Sequence, residues 1–222
     1  WALIHEAIHR HLHPDLRINE ATGRVLGILF LAPFEALRFG HLSHHALNAH
    51  PPDRPELFDP ARMSRPRAAL VFYPRLLLGL YAAEVLSGVV SLLPRRVFRP
   101  ILRAVFYEGQ PEAANMAERA DRVLLEPARL RRIRLDALAS MGLVTLGITL
   151  WGEAWTVLVF ALAARSVVVS FLDNAPHYGG PMAEPAQGYD MRLADALAPL
   201  VLNTNLHGTH HRHPTLPWTA LP

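Results

Sequence analysis

Apolar residues in this chain gather in four stretches: Val25–Leu37, Ala68–Leu93, Ala137–Trp151 and Trp155–Leu172. A helix needs roughly 20 apolar residues to cross a bilayer. Val25–Leu37 is too short for that and carries Pro33 and Glu35, so it predicts a partly immersed or interfacial helix. Ala68–Leu93 is long enough, but Pro74 and Arg75 interrupt it early. Arginines flank it on both sides (Arg62, Arg65 and Arg67 before, Arg95, Arg96 and Arg99 after), which favours a re-entrant or interfacial hairpin over a single crossing. Ala137–Trp151 and Trp155–Leu172 enclose the short segment W-G-E-A-W and predict a helical hairpin. Its second arm carries Arg165, which at that depth is expected to face protein or to snorkel.

The intervening segments are polar. Pro51–Pro66 predicts a loop rich in Pro and Asp, and Gly179–Gly188 a Gly/Pro loop. Pro111–Asp136 has helical spacing and predicts a surface helix, and Met191–Leu202 a short amphipathic helix. The fold class expected is all-α, one domain over residues 1–222, an integral-membrane helical bundle with a cap on one face. Arg122, Arg129, Arg131, Arg132 and Arg134 precede the hairpin while its turn has none. The positive-inside rule therefore puts the entry on the cytoplasm and the turn outside.

Composition narrows the chemistry. The net charge of +3 is carried by arginine alone, since the chain has no lysine. No basic stretch interleaved with aromatics points to nucleic acid. Cysteine is absent, which excludes disulfides, Cys-ligated zinc and iron–sulfur clusters.

Histidine is the residue type that stands out. Nine of the thirteen fall in four clusters: His5 and His9, then His41, His44 and His45, then His177, then His207, His210 and His211. Helical positions i, i+3 and i+4 share a face about 5–6 Å apart. H-x-x-H-H should thus present three imidazoles in one direction, and H-x-x-x-H two. Imidazole suits iron, zinc and copper, and nine rings exceed the needs of one ion, so the cap is expected to be a histidine-rich di-metal one, with all four clusters on the cytoplasmic face. Asn174 is a candidate for binding a metal-held water, Asp173 for orienting an imidazole N–H, and His13 for lying nearby if the first helix runs on to Pro14. H-E-A-I-H also fits the H-E-x-x-H pattern of zinc hydrolases, but that reading leaves both H-x-x-H-H motifs unused. It makes Glu6 a base, whereas the two-metal reading makes it a structural or outer-sphere residue.

With H-E-A-I-H, H-L-S-H-H and H-G-T-H-H in this order, the chain resembles the membrane fatty acid desaturase superfamily of acyl desaturases, alkane hydroxylases and carotenoid ketolases and hydroxylases. L-R-F-G-H-L-S-H-H is similar to the family's second box with its lead-in. N-L-H-G-T-H-H-R-H-P-T-L-P-W is similar to its third box and tail, and D-N-A-P-H-Y-G to the histidine site before it. The resemblance implies two non-haem irons activating O₂, held by His5, His9, His41, His44, His45, His177, His207, His210 and His211. It also implies a lipid or acyl substrate at the membrane and an external electron donor such as ferredoxin, cytochrome b5 or a reductase. The Arg129–Arg134 surface is a candidate docking face for that donor. The membrane helices expected before the first box are not in the sequence. Desaturation of a fatty acyl chain is the leading expectation. Carotenoid ketolation or hydroxylation, or hydroxylation of another lipid or alkane, is the alternative.

Overall fold

The computed structural model describes residues 1–48, 50, 53–54, 57–61, 63–105, 115–180 and 188–221, with the backbone alone at 78–80. Every regular element among them is helical. The first, α1 (Ala2–Ile8), carries the first histidine pair, with His9 closing its last turn. Arg10 follows in the left-handed region at φ 66°. Asp15 then caps α2 (Leu16–Phe30), accepting from the Arg17 and Ile18 backbone N–H groups.

Two prolines decide how the apolar stretches bend. α2 ends at Leu31, φ 67°, and α3 (Phe34–Leu47) starts after Pro33 at 96° to it. The expected single helix over Val25–Leu37 is therefore a corner, because Pro33 has no N–H to continue the ladder and its ring clashes with the preceding turn. At the second site, α4 (Arg65–Pro74) passes through a π turn at Arg75–Gly79 into α5 (Leu80–Ser91). Residues 65–77 and 81–91 stand 71° apart, so Ala68–Leu93 is bent, at the end of the π turn that follows Pro74.

α6 (Arg95–Val105) and α7 (Met116–Leu124) pack together below the start of α8 (Pro127–Trp151). The surface helix expected over Pro111–Asp136 is thus divided. Residues 111–114 lie outside the described set, α7 closes at Leu125, and Glu126 caps the next helix, accepting from Ala128 N at 3.0 Å and Arg129 N at 2.8 Å. A 3₁₀ turn at Gly152–Ala154 joins α8 to α9 (Trp155–Asn174).

The two arms fold back on each other. Ser140 on α8 and Arg165 on α9 both donate to the last carbonyls of α2, to Ile28 O at 3.2 Å and Phe30 O at 3.3 Å respectively. Near the turn, a Cβ on Gly147 would stand 3.0 Å from the Leu158 side chain. Arg165 also donates to the Tyr81 hydroxyl, which donates to Phe30 O. This arginine faces inward and satisfies carbonyls that a helix end leaves without partners. The stretch 127–177 is long and apolar enough to cross a membrane. Leu146, Leu150, Phe160, Val168 and Phe171 on it are all at least half exposed, the surface expected of helices bathed in lipid.

Met191–Leu202 is not the expected α-helix. Its only regular element is a 3₁₀ turn at Ala198–Val201. Met191 N bonds Asn205 O at 2.7 Å, and the Asn205 amide returns to Met191 O at 3.3 Å, closing the segment into an arch. Pro199 supplies no N–H to an α-helical ladder there. The arch leads to α10 (His207–Arg212).

Charged groups clamp the histidine-bearing helices to α8. Glu35 on α3 is 2% exposed and receives Arg132 at 2.7 Å, with Arg129 at 3.5 Å and Arg38 at 3.8 Å. Asp136, fully buried, receives Arg24 of α2 at 3.1 Å. An apolar cluster of Ile4, Ala7, Ile8, Phe30, Phe34, Leu37 and Tyr81 holds α1, α2, α3 and α5 together beneath the histidines.

Candidate metal centre

The nine clustered histidines arrive from α1, α3, the 3₁₀ turn after α9, and α10, and they form two groups. His5, His9, His41, His45 and His210 make the first, and His44, His177, His207 and His211 the second. Within each group the potential donor atoms all lie within 4.8 Å of one another. The H-x-x-H-H motifs do not send three rings to one place. Their i, i+4 pair serves one group and the i+3 ring crosses to the other: His41 and His45 against His44, and His207 and His211 against His210. Rings i and i+4 differ by only about 40° around a helix of 3.6 residues per turn, whereas i+3 falls on the opposite flank of the same face. His45 and His211 stack at 4.3 Å where the two groups abut.

The rings converge through Nε2. In the first group, Nε2–Nε2 separations are 2.9 Å for His9–His41, 3.0 Å for His41–His45 and 3.1 Å for His45–His210. In the second they are 2.7 Å for His177–His207, 3.0 Å for His207–His211, 3.1 Å for His44–His177 and 3.2 Å for His44–His211. Donors at right angles about an ion bonded at about 2.1 Å lie about 3.0 Å apart, and tetrahedral donors about 3.4 Å. The observed edges match the right-angle arrangement. His5 Nε2 is buried with no hydrogen-bond partner. Converging lone pairs on neutral rings repel, and a cation at their centre removes that cost.

Electrostatics favour the ligand form of imidazole. Burial, followed by the neighbouring imidazoles, lowers His9 and His210 to about 2. The same causes lower His45 to about 3 and push His41, His207 and His211 far below the usual range. These rings are neutral at neutral pH, as metal binding requires. His44 is the exception. Burial lowers it, but the Asp53 carboxylate outweighs burial and raises it overall.

Groups behind the rings set their orientation. Asp53 Oδ2 lies 2.6 Å from His44 Nδ1, and the Asn48 amide 2.8 Å from His211 Nδ1. Asn48 presents its Nδ2 to His211 Nδ1; with Nε2 turned to an ion, Nδ1 would carry the proton and the amide would turn to offer its oxygen. Glu6 is 3% exposed; one oxygen meets His5 Nδ1 at 3.4 Å and the other accepts from Trp218 N at 3.2 Å. It ties the first box to the tail after the third and sits on the side of His5 away from Nε2. Asp190 holds α10 by accepting from Thr209 N at 2.8 Å and Thr209 Oγ1 at 2.7 Å.

The other candidates occupy varied positions. Asn174 ends α9, buried, with its Oδ1 lacking a partner. Asp173 lines a cavity beside His5, His207 and His210. His13 lies outside both groups: the helix stops at Ile8, and the His13 ring accepts from Asp15 N at 2.9 Å. His11, His50 and His213 also stand apart from the two groups. The cavity beside the centre is about 510 Å³ and mainly apolar, walled by Trp1, Val169, Leu172, Leu202, Trp218 and Leu221 among others.

Over residues 1–222 the sequence matches the family model described as "Fatty acid desaturase". It belongs to the fatty acid desaturase family. No curated protein and no solved structure matches it. Membership places this desaturase-family chain among lipid-modifying membrane oxidoreductases, and its two histidine groups are able to hold metal. Sequence reasoning missed Asp53 and Asn48. Both sit in or beside a loop that the Pro-rich pattern marks only as a loop, and nothing in the pattern says which way their side chains turn.

Proposed function

We propose that this protein is an oxygen-dependent di-iron desaturase that introduces a double bond into a fatty acyl chain. The observation that carries the reading is the convergence of nine imidazoles into two abutting groups beside an apolar cavity, in a chain of this family. Five and four nitrogen donors at right-angle spacing suit ions that keep positions open, and imidazole is a common iron ligand. Bound iron would supply the oxidising power that acid–base side chains lack for an unactivated C–H bond.

The chain's own residues bind and orient. Val169, Leu172, Leu202 and Leu221 line a route for an acyl chain and keep bulk water from it. Glu6, Asp53 and Asn48 fix the rings. The overall change is –CH₂–CH₂– plus O₂, two electrons and two protons giving –CH=CH– and two waters. The electrons come from an external donor such as ferredoxin, cytochrome b5 or a reductase. Of the arginines offered as its docking face, Arg129 and Arg132 are engaged by Glu35, and Arg134 by Ser91 O and Leu93 O at 2.8 Å each. Arg122 and Arg131 are exposed, and in this reading the donor's docking face and the histidine groups lie on the cytoplasmic side.

Glu6 does not support a zinc-hydrolase reading, since both of its oxygens are engaged away from the His5 Nε2 side. The test is mass spectrometry of lipids from an expressing host, with iron measured on the purified protein. New acyl species lighter by two hydrogens, with two irons per chain, are the expected result. Products that gain oxygen, or altered carotenoids with unchanged acyl chains, move the assignment to a hydroxylase or ketolase.

A further inference from the structure

The two groups are not equally supported from behind. The five-histidine group has one carboxylate within hydrogen-bonding range among the described residues, Glu6, at 3.4 Å from His5 Nδ1 and shared with Trp218 N. That contact is at the limit of a hydrogen bond. The four-histidine group has Asp53, whose Oδ2 stands 2.6 Å from His44 Nδ1, a short charge-assisted contact. Asp53 is itself placed by its loop, its N–H donating to His50 O at 3.1 Å, and its side chain is 12% exposed. The next residue, Arg54, is 2% exposed and donates to Gly180 O at 2.8 Å, joining this loop to the segment after His177. The loop after the second box thus reaches the four-histidine group through His44 and through the segment that carries His177.

We infer that Asp53 is a positioning residue that holds the four-histidine site competent for its ion, and does so independently of the five-histidine site. The group with fewer donors has the stronger anionic partner. A carboxylate on Nδ1 fixes the His44 ring with Nε2 toward its partners at 3.1 and 3.2 Å and makes that nitrogen a better donor. Loss of such a partner costs about 10–100-fold in metal affinity. No equivalent loss falls on the five-histidine group, whose rings Asp53 does not touch.

This inference rests on the two-ion reading above, and the test separates the two. Full-length protein is loaded with ⁵⁷Fe, and iron per chain, resistance to a chelator and the Mössbauer spectrum are compared for wild type, Asp53→Asn, Asp53→Glu and Glu6→Gln. Wild type that does not hold two ions defeats the two-ion reading itself. If it holds two, Asp53→Asn should release one of them about 10–100-fold more readily, and one of the two sets of spectral lines should fade. Asp53→Glu should restore much of the retention, and Glu6→Gln should leave the Asp53-dependent ion in place. Unchanged retention of both ions in Asp53→Asn overturns the inference. So does equal loss of both, or failure of Asp53→Glu to restore either.

Discussion

At the scale of single residues, the centre depends on imidazoles kept neutral by burial and by one another. His44 and His210 belong to different groups, so His44→Ala and His210→Ala should each weaken a different ion, measured as iron per chain and as distinct spectral changes. Identical losses in the two variants would contradict the division of the motifs. Acid should act on the same rings in the metal-free chain. His9, His45 and His210 take up protons at about 6.5 when unfolded but only at about 2–3 when folded. The unfolded state therefore binds more protons between those limits. Stability is fully present above pH 6.5 and is lost as pH falls toward 3, readable as a falling Tm across that window. Gly208 bears on geometry alone: a Cβ there would meet Gly188 O at 2.4 Å, backbone that cannot swing aside. Gly208→Ala should displace α10, costing about 1–3 kcal/mol and lowering retention of both ions, since α10 serves both groups.

Among the elements, α8 is the scaffold on which the histidine helices rest. Glu35 joins α3 to it through Arg129 and Arg132, and Asp136 joins α2 to it through Arg24. Removing the Glu35 carboxylate leaves the partly exposed Arg129 and Arg132 without their acidic partner. A fully buried pair broken this way costs about 3–5 kcal/mol, and the partial exposure of the arginines reduces that to roughly 1–3 kcal/mol. Glu35→Ala should lower the Tm accordingly and loosen α3 with its three ligands, so chelator resistance should fall as well. Pro33 and Pro74 were legible as interruptions because a missing N–H is a property of the residue itself. The bend angles of 96° and 71° were not, because they depend on what each half packs against.

Taken whole, the molecule sets the histidine groups at the open end of an apolar hairpin, whose second arm leads through Asn174 into His177. The chain has no cysteine, so single-cysteine variants report topology cleanly. With the histidine groups cytoplasmic, Glu153→Cys in the turn should react with an impermeant thiol reagent from outside, and Thr215→Cys, beside the third box, should not. Equal outside labelling of both would overturn the proposed orientation.

What the sequence determined by itself was local. The spacing of the histidines, the apolar lengths of the two hairpin arms and the absence of cysteine name the candidate donors and the helical class, because periodicity and side-chain chemistry travel with the residues. The tertiary structure decided how those donors are shared. His44 and His45 are neighbours in sequence, yet they serve different groups, because the outcome depends on where α1, α10 and the turn at His177 stand around α3. It decided that Arg165 closes the end of α2, that Glu6 reaches the Trp218 backbone, and that Asp53 sits behind His44. Each is a contact between segments far apart in the chain or across a turn, and only packing fixes which polar atoms meet once water is excluded.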